Sequence, residues 1–437
     1  MPSADNAFEA TLLGALASRG PSTSVELQQI TGKSQPTLSR ALAMLAGRVV
    51  ALGRGKATRY AVAQSIHGSA AQQPLWWTDS LGVTERWGTL TFLAGDALHV
   101  AAPGIDVTTR GELPWFLTPL RLQGFLGREW ARRLALEGDP ERWSLAQILL
   151  AALAIDDPTG AISLGEPTGA VVPAQPLDPT ERAARYDGLA ADVITTLPAG
   201  SSAGGEQSKF LTALSSGERV LVKFTPPRGT PFGERWHDLL HAEALALQVL
   251  GEHGVSVAQA RILQSGTRTY LESVRFDRIG AKGLGRRHVV SLDAVHARFV
   301  QGSRQNWAAT CDALAAQRRL APMEARAVRA LFEFGHMIGN TDMHFGNLSL
   351  WADDPATGRF ALAPLYDMLP MRWRPDGYQG LQDYTPFEPS RGRLATADGG
   401  TSPLTVAREF WQRAAGHAPF SKAFRAISAE MAKRLSA

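Results

Sequence analysis

Apolar side chains at the start of the chain recur with the period of an α-helix. In AFEATLLGALASRG, Phe8, Leu12 and Leu16 fall on one helical face, and Gly20 follows the last turn. The segment SVELQQI predicts a second, short helix that ends at a TGK turn. A third helix is predicted to begin after Ser34, a favoured N-cap residue, and leucines spaced three or four apart form its buried stripe. The pattern therefore predicts three successive helices.

The third predicted helix and the segment after it are typical of a DNA-binding module. The polar side chains on the open face of this helix are Gln35, Thr37, Ser39 and Arg40. A helix held after a tight turn is how a recognition helix is presented to a major groove. The next segment, VVALGRGKATRYAV, predicts two short strands whose connecting turn carries Arg54 and Lys56, within reach of phosphates. Residues 1–66 are therefore predicted to form a winged helix–turn–helix domain that binds DNA.

The excess positive charge of the chain falls entirely in this first segment. Residues 1–66 contain seven Lys or Arg and three acidic residues, a net charge of +4 that equals the net charge of all 437 residues. This distribution favours nucleic acid as the partner of the segment. A small helical domain used for protein contacts or dimerisation is the alternative that the pattern leaves open.

The middle of the chain shows strands and helices but no recognisable chemistry. Residues 67–74 are turn-prone and predict a linker, and RWGTLTFLAGDALHVAAPG alternates around AGDA as a β-hairpin does. WSLAQILLAALAI predicts a helix, whereas PTGAISLGEPTGAVVPAQPLDP is rich in loop formers. Several tryptophans lie here, including Trp77, Trp87, Trp115 and Trp130; core or interface packing is expected more often than ligand stacking.

The overall composition narrows the class of protein. The single cysteine, Cys311, excludes a disulfide framework and a thiolate metal site. The longest apolar run, in SLAQILLAALAIDD, is too short to span a bilayer, and the first ten residues do not form a secretory signal. We therefore expect a cytoplasmic protein with no membrane partner.

The second half of the chain carries, in order, residue types that phosphoryl transfer needs. That reaction requires a loop that covers the nucleotide phosphates, a lysine, metal ligands and a carboxylate that positions the attacking hydroxyl. SSAGGEQSKF places Gly204 and Gly205 where bare backbone N–H groups can approach phosphate oxygens. Lys223 lies in the alternating strand RVLVKF, and Glu243, on a predicted helix twenty residues later, can pair with it. These residues predict the phosphate end of a nucleotide site.

The segment GNTDMHFGNLSL supplies the remaining groups. Asp342 and Asn347 have the Asp-x4-Asn spacing of a protein-kinase catalytic loop, in which the acid orients the hydroxyl and the amide binds metal. Asp367 follows the apolar run FALAPLY and is a candidate Mg²⁺ ligand. Each feature alone has a simpler interpretation, since Asp342 can cap a turn and His344 can brace the loop. Their shared order favours phosphoryl transfer.

At these residues the chain resembles the HipA-type serine/threonine kinases of bacterial toxin–antitoxin systems, and in particular the YjjJ branch, which carries its own helix–turn–helix. The segments SSAGGEQSKF, VKF, VRFDR, GNTDMHFGNLSL and PLYDMLP carry the resemblance. It implies an α+β chain with a HipA-like, protein-kinase-like two-lobed fold and an added N-terminal winged-helix domain. The implied parts are 75–180 (an N-terminal subdomain), 181–276 (an N-lobe with the phosphate-binding loop) and 277–437 (a helical C-lobe with the catalytic loop).

The resemblance also implies the role of each site residue. Asp342 matches the catalytic aspartate, and Asn347 and Asp367 match the Mg²⁺ ligands. Ser202 matches a phosphate-loop serine that the family autophosphorylates, and the neighbouring Ser201 is the alternative site of modification. The residues expected to bind ATP are Ser202, Ala203, Gly204, Gly205, Lys223, Glu243, Ser273, Val274, Phe276, Asp277 and His344. The expected partners are a protein substrate and DNA. An antitoxin is left open, because the family's DNA-binding partner is usually separate whereas here a DNA-binding segment is part of the chain.

Other functions fit parts of the same pattern. A transcriptional regulator whose kinase body senses a ligand would keep the DNA-binding segment with little catalysis. A small-molecule phosphotransferase shares Asp-x4-Asn, but such enzymes commonly carry histidine two residues before the aspartate, where this chain has Asn340. Metal-dependent chemistry on DNA would use the same carboxylates near a phosphodiester.

Replacing Arg54 and Lys56 by Ala should weaken DNA binding and reduce its salt dependence, because each lysine or arginine that neutralises a phosphate releases about one counterion. Retention of the full-length protein on duplex DNA across a salt series measures both effects. Unchanged retention at low salt would contradict the assignment.

Overall fold

The computed structural model describes residues 4–53, 55, 58–166, 177–178, 180–196, 207–376, 380–389 and 402–436. These residues form three successive parts, each with its own sheet and core: a small N-terminal part, a middle part and a two-lobed C-terminal body. Among the described residues, no helix is both long and apolar enough to cross a membrane.

The N-terminal part consists of three helices and a three-stranded sheet. Its elements are α1 (Ala4–Arg19), β1 (Ser22–Thr23), α2 (Ser24–Thr31), α3 (Gln35–Met44), β2 (Val49–Leu52) and β3 (Arg59–Val62). A capping box between Thr23 and Glu26 starts α2, and Gly32, with φ of 66°, ends it. The helices bury leucines against one another, and the antiparallel sheet has the order β1-β3-β2. The three helices followed by β2 and β3 are in the predicted order, whereas β1 was not predicted. Arg54 and Lys56 lie outside the described residues.

The N-terminal part is joined to the middle part by backbone hydrogen bonds. The N–H of Ala94 donates to the carbonyl of Val62 at 2.9 Å, and the N–H of Gln64 donates to the carbonyl of Phe92 at 3.0 Å. Four buried side chains form a small cluster across the junction: Leu52, Ala61, Leu93 and Ala97. The next strand begins at Gln72, so the segment 67–74, predicted as a linker, is partly strand. The two parts are packed directly against each other.

The middle part is built on a five-stranded antiparallel sheet. Its elements are β4 (Gln72–Thr78), β5 (Thr84–Leu93), β6 (Ala97–Ala102), β7 (Ile105–Arg110), α4 (Gly124–Arg133), α5 (Leu145–Leu153) and β8 (Ile162–Leu164). The sheet order is β7-β6-β5-β4-β8, and the predicted hairpin is present, with Leu93 paired to Ala97. β8 lies in the segment predicted as loop. It is a strand because Leu164 pairs with the distant Leu75, which no local pattern reveals.

Tryptophans of the middle part pack against the C-terminal body. Trp77 lies 5.5 Å from the ring of His288. Trp115 makes edge contacts with Phe299 and Phe360 at 5.4 and 5.3 Å between ring centroids. These two residues therefore pack at the interface between the middle part and the C-terminal body, as the sequence predicted.

The first lobe of the body is a four-stranded sheet flanked by helices. Its elements are α6 (Arg182–Thr196), β9 (Lys209–Ala213), β10 (Arg219–Phe224), α7 (Pro231–Glu252), β11 (Ala260–Ser265) and β12 (Arg268–Val274). The antiparallel sheet has the order β11-β12-β10-β9. Val220, Val222 and Phe224 are buried in the core of this lobe, so the alternate residues of β10 face the other side of the sheet.

The second lobe is mostly helical. Its elements are β13 (Arg278–Ile279), β14 (Gly285–Arg286), β15 (Val289–Ser291), α8 (Leu292–Phe299), α9 (Trp307–Ala316), α10 (Pro322–Met337), β16 (Ser349–Trp351), β17 (Ala361–Leu362), α11 (Pro403–Gly416) and α12 (Lys422–Ser436). Its large core contains fully buried aromatic side chains, among them Trp307, Trp411 and Phe424. The same core includes Leu247 and Leu250 of α7, so the long helix of the first lobe is packed into the second lobe.

A buried network of ion pairs holds the middle part to the segment that follows β12. Asp157 accepts from Arg275 at 2.8 Å and from Arg278 at 2.6 Å. Asp277 pairs with the same two arginines and accepts from the backbone N–H of Gly160 at 2.9 Å. Burial acts to raise the pKa of Asp157, but Arg275 and Arg278 outweigh it and hold that pKa well below its ordinary value. The two carboxylates and the two guanidinium groups therefore stabilise one another in this network.

Replacing Asp157 by Asn should lower the free energy of unfolding by about 2 kcal/mol at neutral pH, because the buried Arg275 and Arg278 each lose one of their two carboxylate partners. The folded-state pKa of Asp157 is depressed, so this stabilisation is present above about pH 4 and fades as the pH falls further. Denaturant unfolding at several pH values measures both effects. Asp192→Asn, at an exposed position on α6, is the control, and an equal loss in both variants would contradict the role of the network.

Candidate active site

Lys223 reaches the interior of the body because of its position on β10. It lies on the sheet face opposite to Val222 and Phe224, and only 6% of its surface is exposed. Its Nζ donates to both carboxylate oxygens of Glu243 on α7, at 2.7 Å each, and to Oδ1 of Asp367. Burial lowers the pKa of a lysine, but Asp367 and Glu243 outweigh that effect and raise the pKa of Lys223 above its ordinary value. The side chain is therefore a fixed, charged cation.

Asp367 holds a backbone conformation that non-glycine residues seldom adopt. Its φ is 54°, in the left-handed region, and its carbonyl accepts from Nδ2 of Asn340 at 3.3 Å. Burial acts to raise the pKa of its carboxyl group, but Lys223 and then Lys209 outweigh this and lower it. Backbone strain of this kind persists where surrounding contacts fix the residue, and it concentrates at functional sites.

The segment from Gly339 to Leu350 is ordered by its own polar side chains. The N–H of Asp342 donates to Oδ1 of Asn340 at 3.0 Å, and Nδ2 of Asn347 donates to the carbonyl of Asp342 at 2.7 Å. His344 accepts from the N–H of Gly346 at 3.1 Å. The indole of Trp307 donates to the carbonyl of His344 at 3.0 Å, so the segment is also tied to α9. These bonds fix the backbone of Asp342 and the side-chain amide of Asn347.

One large cavity between the lobes and the middle part collects these side chains. Its volume is about 1770 Å³. The sequence-predicted residues that line it are Lys223, Glu243, Asp342, His344, Asn347 and Asp367. The middle part contributes a further wall, including Trp115, Arg121 and Trp130. Acid, amide and lysine, which are far apart in the sequence, therefore share a single solvent-filled space.

Other predicted residues are not brought into this group. The carboxylate of Asp277 is buried and accepts hydrogen bonds from Arg275 and Arg278, and its role in ATP binding stays a prediction. Phe276 packs against Trp351 and Tyr366. Neither these two residues nor Ser273 and Val274 line the cavity. The predicted phosphate-loop residues Ser202, Ala203, Gly204 and Gly205 lie outside the described residues.

Two residues that the sequence analysis did not select belong to the site. Lys209, on β9, is directly opposite Lys223 in the strand register and lines the same cavity. Burial and the nearby Lys223 lower its pKa, although Asp367 acts in the other direction. Asn340, which is 2% exposed, connects the Asp342 and Asp367 segments through two of its side-chain hydrogen bonds. The alternation of polar and apolar residues in SKF could have predicted that Lys209 faces the cavity. No local pattern in the sequence indicated the role of Asn340.

Comparison with known proteins relates this site to a family. Residues 201–437 match the HipA-like C-terminal domain, and residues 69–170 match the YjjJ-like toxin middle domain. The chain is 36% identical over 434 residues to Toxin YjjJ of Escherichia coli (strain K12), and 95% of each chain is covered. The chain belongs to the HipA family, in its YjjJ-like branch. The resemblance identified from the sequence is thereby confirmed.

The fold of this HipA-family chain resembles that of a solved structure of another protein. It is a chain of the Shewanella oneidensis MR-1 toxin–antitoxin complex of HipA, HipB and operator DNA, with a TM-score of 0.52 and 18% identity. The match covers 83% of this chain and 95% of that chain. At this identity the likeness shows the fold alone, an α+β, kinase-like, two-lobed architecture, as the sequence predicted.

Replacing Asn340 by Ala should lower the free energy of unfolding by about 2 kcal/mol, because the N–H of Asp342 and the carbonyl of Asp367 lose a buried partner. Denaturant unfolding measures the change. Gln317→Ala is the control, since it removes an exposed amide that donates to a carbonyl at 3.0 Å and that water can replace. A loss no larger than that of the control would show that Asn340 does not hold the two segments.

Proposed function

We propose that this HipA-family protein is an ATP- and Mg²⁺-dependent serine/threonine protein kinase with a fused DNA-binding domain. The observation that carries the proposal is the buried Lys223, paired with Glu243 and Asp367 in a cavity that Asp342 and Asn347 also line. A fixed cation, a carboxylate and an amide in one cavity are the groups that phosphoryl transfer needs from a protein.

Each side chain has a separate task in this proposal. Lys223 binds phosphate oxygens of ATP, and Glu243 keeps its ammonium in place. Asp342 accepts the proton of the attacking serine or threonine hydroxyl, and Asn340 holds the backbone N–H of Asp342. The hydroxyl oxygen then forms a bond to the γ-phosphorus while the bond from that phosphorus to the β–γ bridging oxygen breaks, leaving ADP. Lys209, beside Lys223, adds a second cation for the phosphates.

The donor atoms of the cavity suit Mg²⁺. Among the described residues, no cluster of three or more His, Cys, Asp or Glu side chains is arranged to hold a metal ion alone. Asp367 offers carboxylate oxygens, and Asn347, whose nitrogen donates to Asp342, has its amide oxygen left for a cation. Mg²⁺ is commonly held by one or two protein oxygens together with water and substrate phosphates, and it supplies charge neutralisation at those phosphates. Asn347 and Asp367 are therefore the residues that would hold it.

The N-terminal part supports the DNA-binding half of the proposal. Residues 1–66 carry the whole net positive charge of the chain, and the exposed face of α3 presents Gln35, Ser39 and Arg40. Three helices followed by a strand pair are the framework of a winged helix–turn–helix. We further propose a cytoplasmic location, autophosphorylation on Ser202 or its neighbour Ser201, and a protein as the second substrate.

Replacing Asp342 by Asn should reduce phosphate transfer at least about 100-fold, because the hydroxyl loses its proton acceptor. Transfer of radiolabelled γ-phosphate from ATP with Mg²⁺, followed by phosphopeptide mass spectrometry, measures the rate and identifies the modified serine. Asp312→Asn, which removes only a half-exposed pair with Arg329, is the control.

Transfer by Asp342→Asn at the wild-type rate would refute the kinase assignment. ATP binding by the wild-type protein without transfer would instead favour a regulator whose kinase body senses a ligand. Cleavage of plasmid DNA that is lost in Asp367→Ala would favour metal-dependent chemistry on DNA.

A further inference from the structure

The first residue of α3, Gln35, is exposed, but its side chain is hydrogen-bonded to the preceding helix. Its amide oxygen Oε1 accepts a hydrogen bond from Nε2 of Gln28 at 2.8 Å and another from the hydroxyl of Ser24. Both partners lie on α2, the helix that precedes the turn. The side chain is therefore held against α2 while it stands at the start of the predicted recognition helix.

The orientation of this amide follows from a backbone contact. Nε2 of Gln28 also donates to the backbone carbonyl of Ser24 at 3.3 Å. A carbonyl oxygen can only accept, so the group of Gln28 that lies there is its nitrogen. The atom of Gln35 that faces this nitrogen must then be an acceptor, which is the amide oxygen and not the amide nitrogen. The contacts thus fix which end of Gln35 points outward.

The outward end of Gln35 carries hydrogen-bond donors only. An amide oxygen has two lone pairs, and here Ser24 and Gln28 occupy both. Among the described residues, none accepts a hydrogen bond from Nε2 of Gln35. A glutamine that reads adenine in the major groove uses its oxygen and its nitrogen together, against the N6 donor and the N7 acceptor. With its oxygen engaged, Gln35 cannot make that pair.

We propose that Gln35 is a specificity-determining residue that selects guanine and rejects adenine in the major groove. The proposal rests on the DNA-binding half of the proposed function. Guanine presents two acceptors, N7 and O6, on its major-groove edge, and both suit the N–H donors of Nε2. Adenine presents its N6 donor beside N7, which would face these donors unpaired. Ser24 and Gln28 are positioning residues, because they act on the base only through Gln35.

The test begins with selection of duplexes from a random DNA library by the full-length protein at low salt. A guanine at one position is expected, and replacing it with 7-deazaguanine, which lacks the N7 acceptor, should weaken wild-type binding roughly tenfold. The same replacement should have little effect on Gln35→Ala. Selection by Ser24→Ala/Gln28→Ala should move the preference at that position toward adenine, because the freed amide can then use both of its ends.

Gln29→Ala, which removes an exposed glutamine of α2, is the matched control and should keep the wild-type preference. Selection of adenine or thymine by the wild-type protein at the Gln35-dependent position would overturn the inference. An unchanged guanine preference in the Ser24→Ala/Gln28→Ala protein would also overturn it, while DNA binding itself stands. Failure to retain any duplex at low salt would overturn both this inference and the proposed DNA-binding function.

Discussion

The two-lobed body depends on the neutralisation of one buried cation. An unpaired ammonium group in the interior costs several kcal/mol, so Lys223 is stable there only beside carboxylates. Glu243 comes from the long helix α7, and Asp367 comes from the other lobe, 144 residues after the lysine. This ion-pair group therefore fixes a strand, a helix and the opposite lobe relative to one another. The cavity that we assign to the nucleotide is the space that the arrangement leaves open.

The middle part is a structural component of the same body. Asp157 and Gly160 bind the charged segment after β12, and Trp115 packs between aromatic side chains of the second lobe. Trp115 also lines the cavity. A substrate that enters this space therefore meets a wall supplied by the middle part, as well as the two lobes.

The N-terminal part is fixed to the rest of the molecule by similar local means. Backbone hydrogen bonds join the segment after β3 to the end of β5, and a small apolar cluster covers the junction. The position of the N-terminal part on the middle part is thus set by backbone hydrogen bonds and apolar packing, and not by a flexible linker. Polar contacts between α2 and α3 also engage the amide oxygen of Gln35, the first residue of α3.

Local patterns in the sequence were enough for the three N-terminal helices, the hairpin at β5 and β6, and the inward position of Lys223, because each depends on the spacing of neighbouring residues. The segments that contain the lysine, the acid and the amide also identified the family from the sequence alone. Only the tertiary structure brought Lys209 beside Lys223, since that proximity depends on strand register. The tertiary structure also places Asp277 in an ion-pair network with Arg278. It places Asn340 where its side chain bonds to both Asp342 and Asp367. Contacts of this kind join residues distant in the chain, and their energies depend on burial and pairing, which a one-dimensional pattern does not contain.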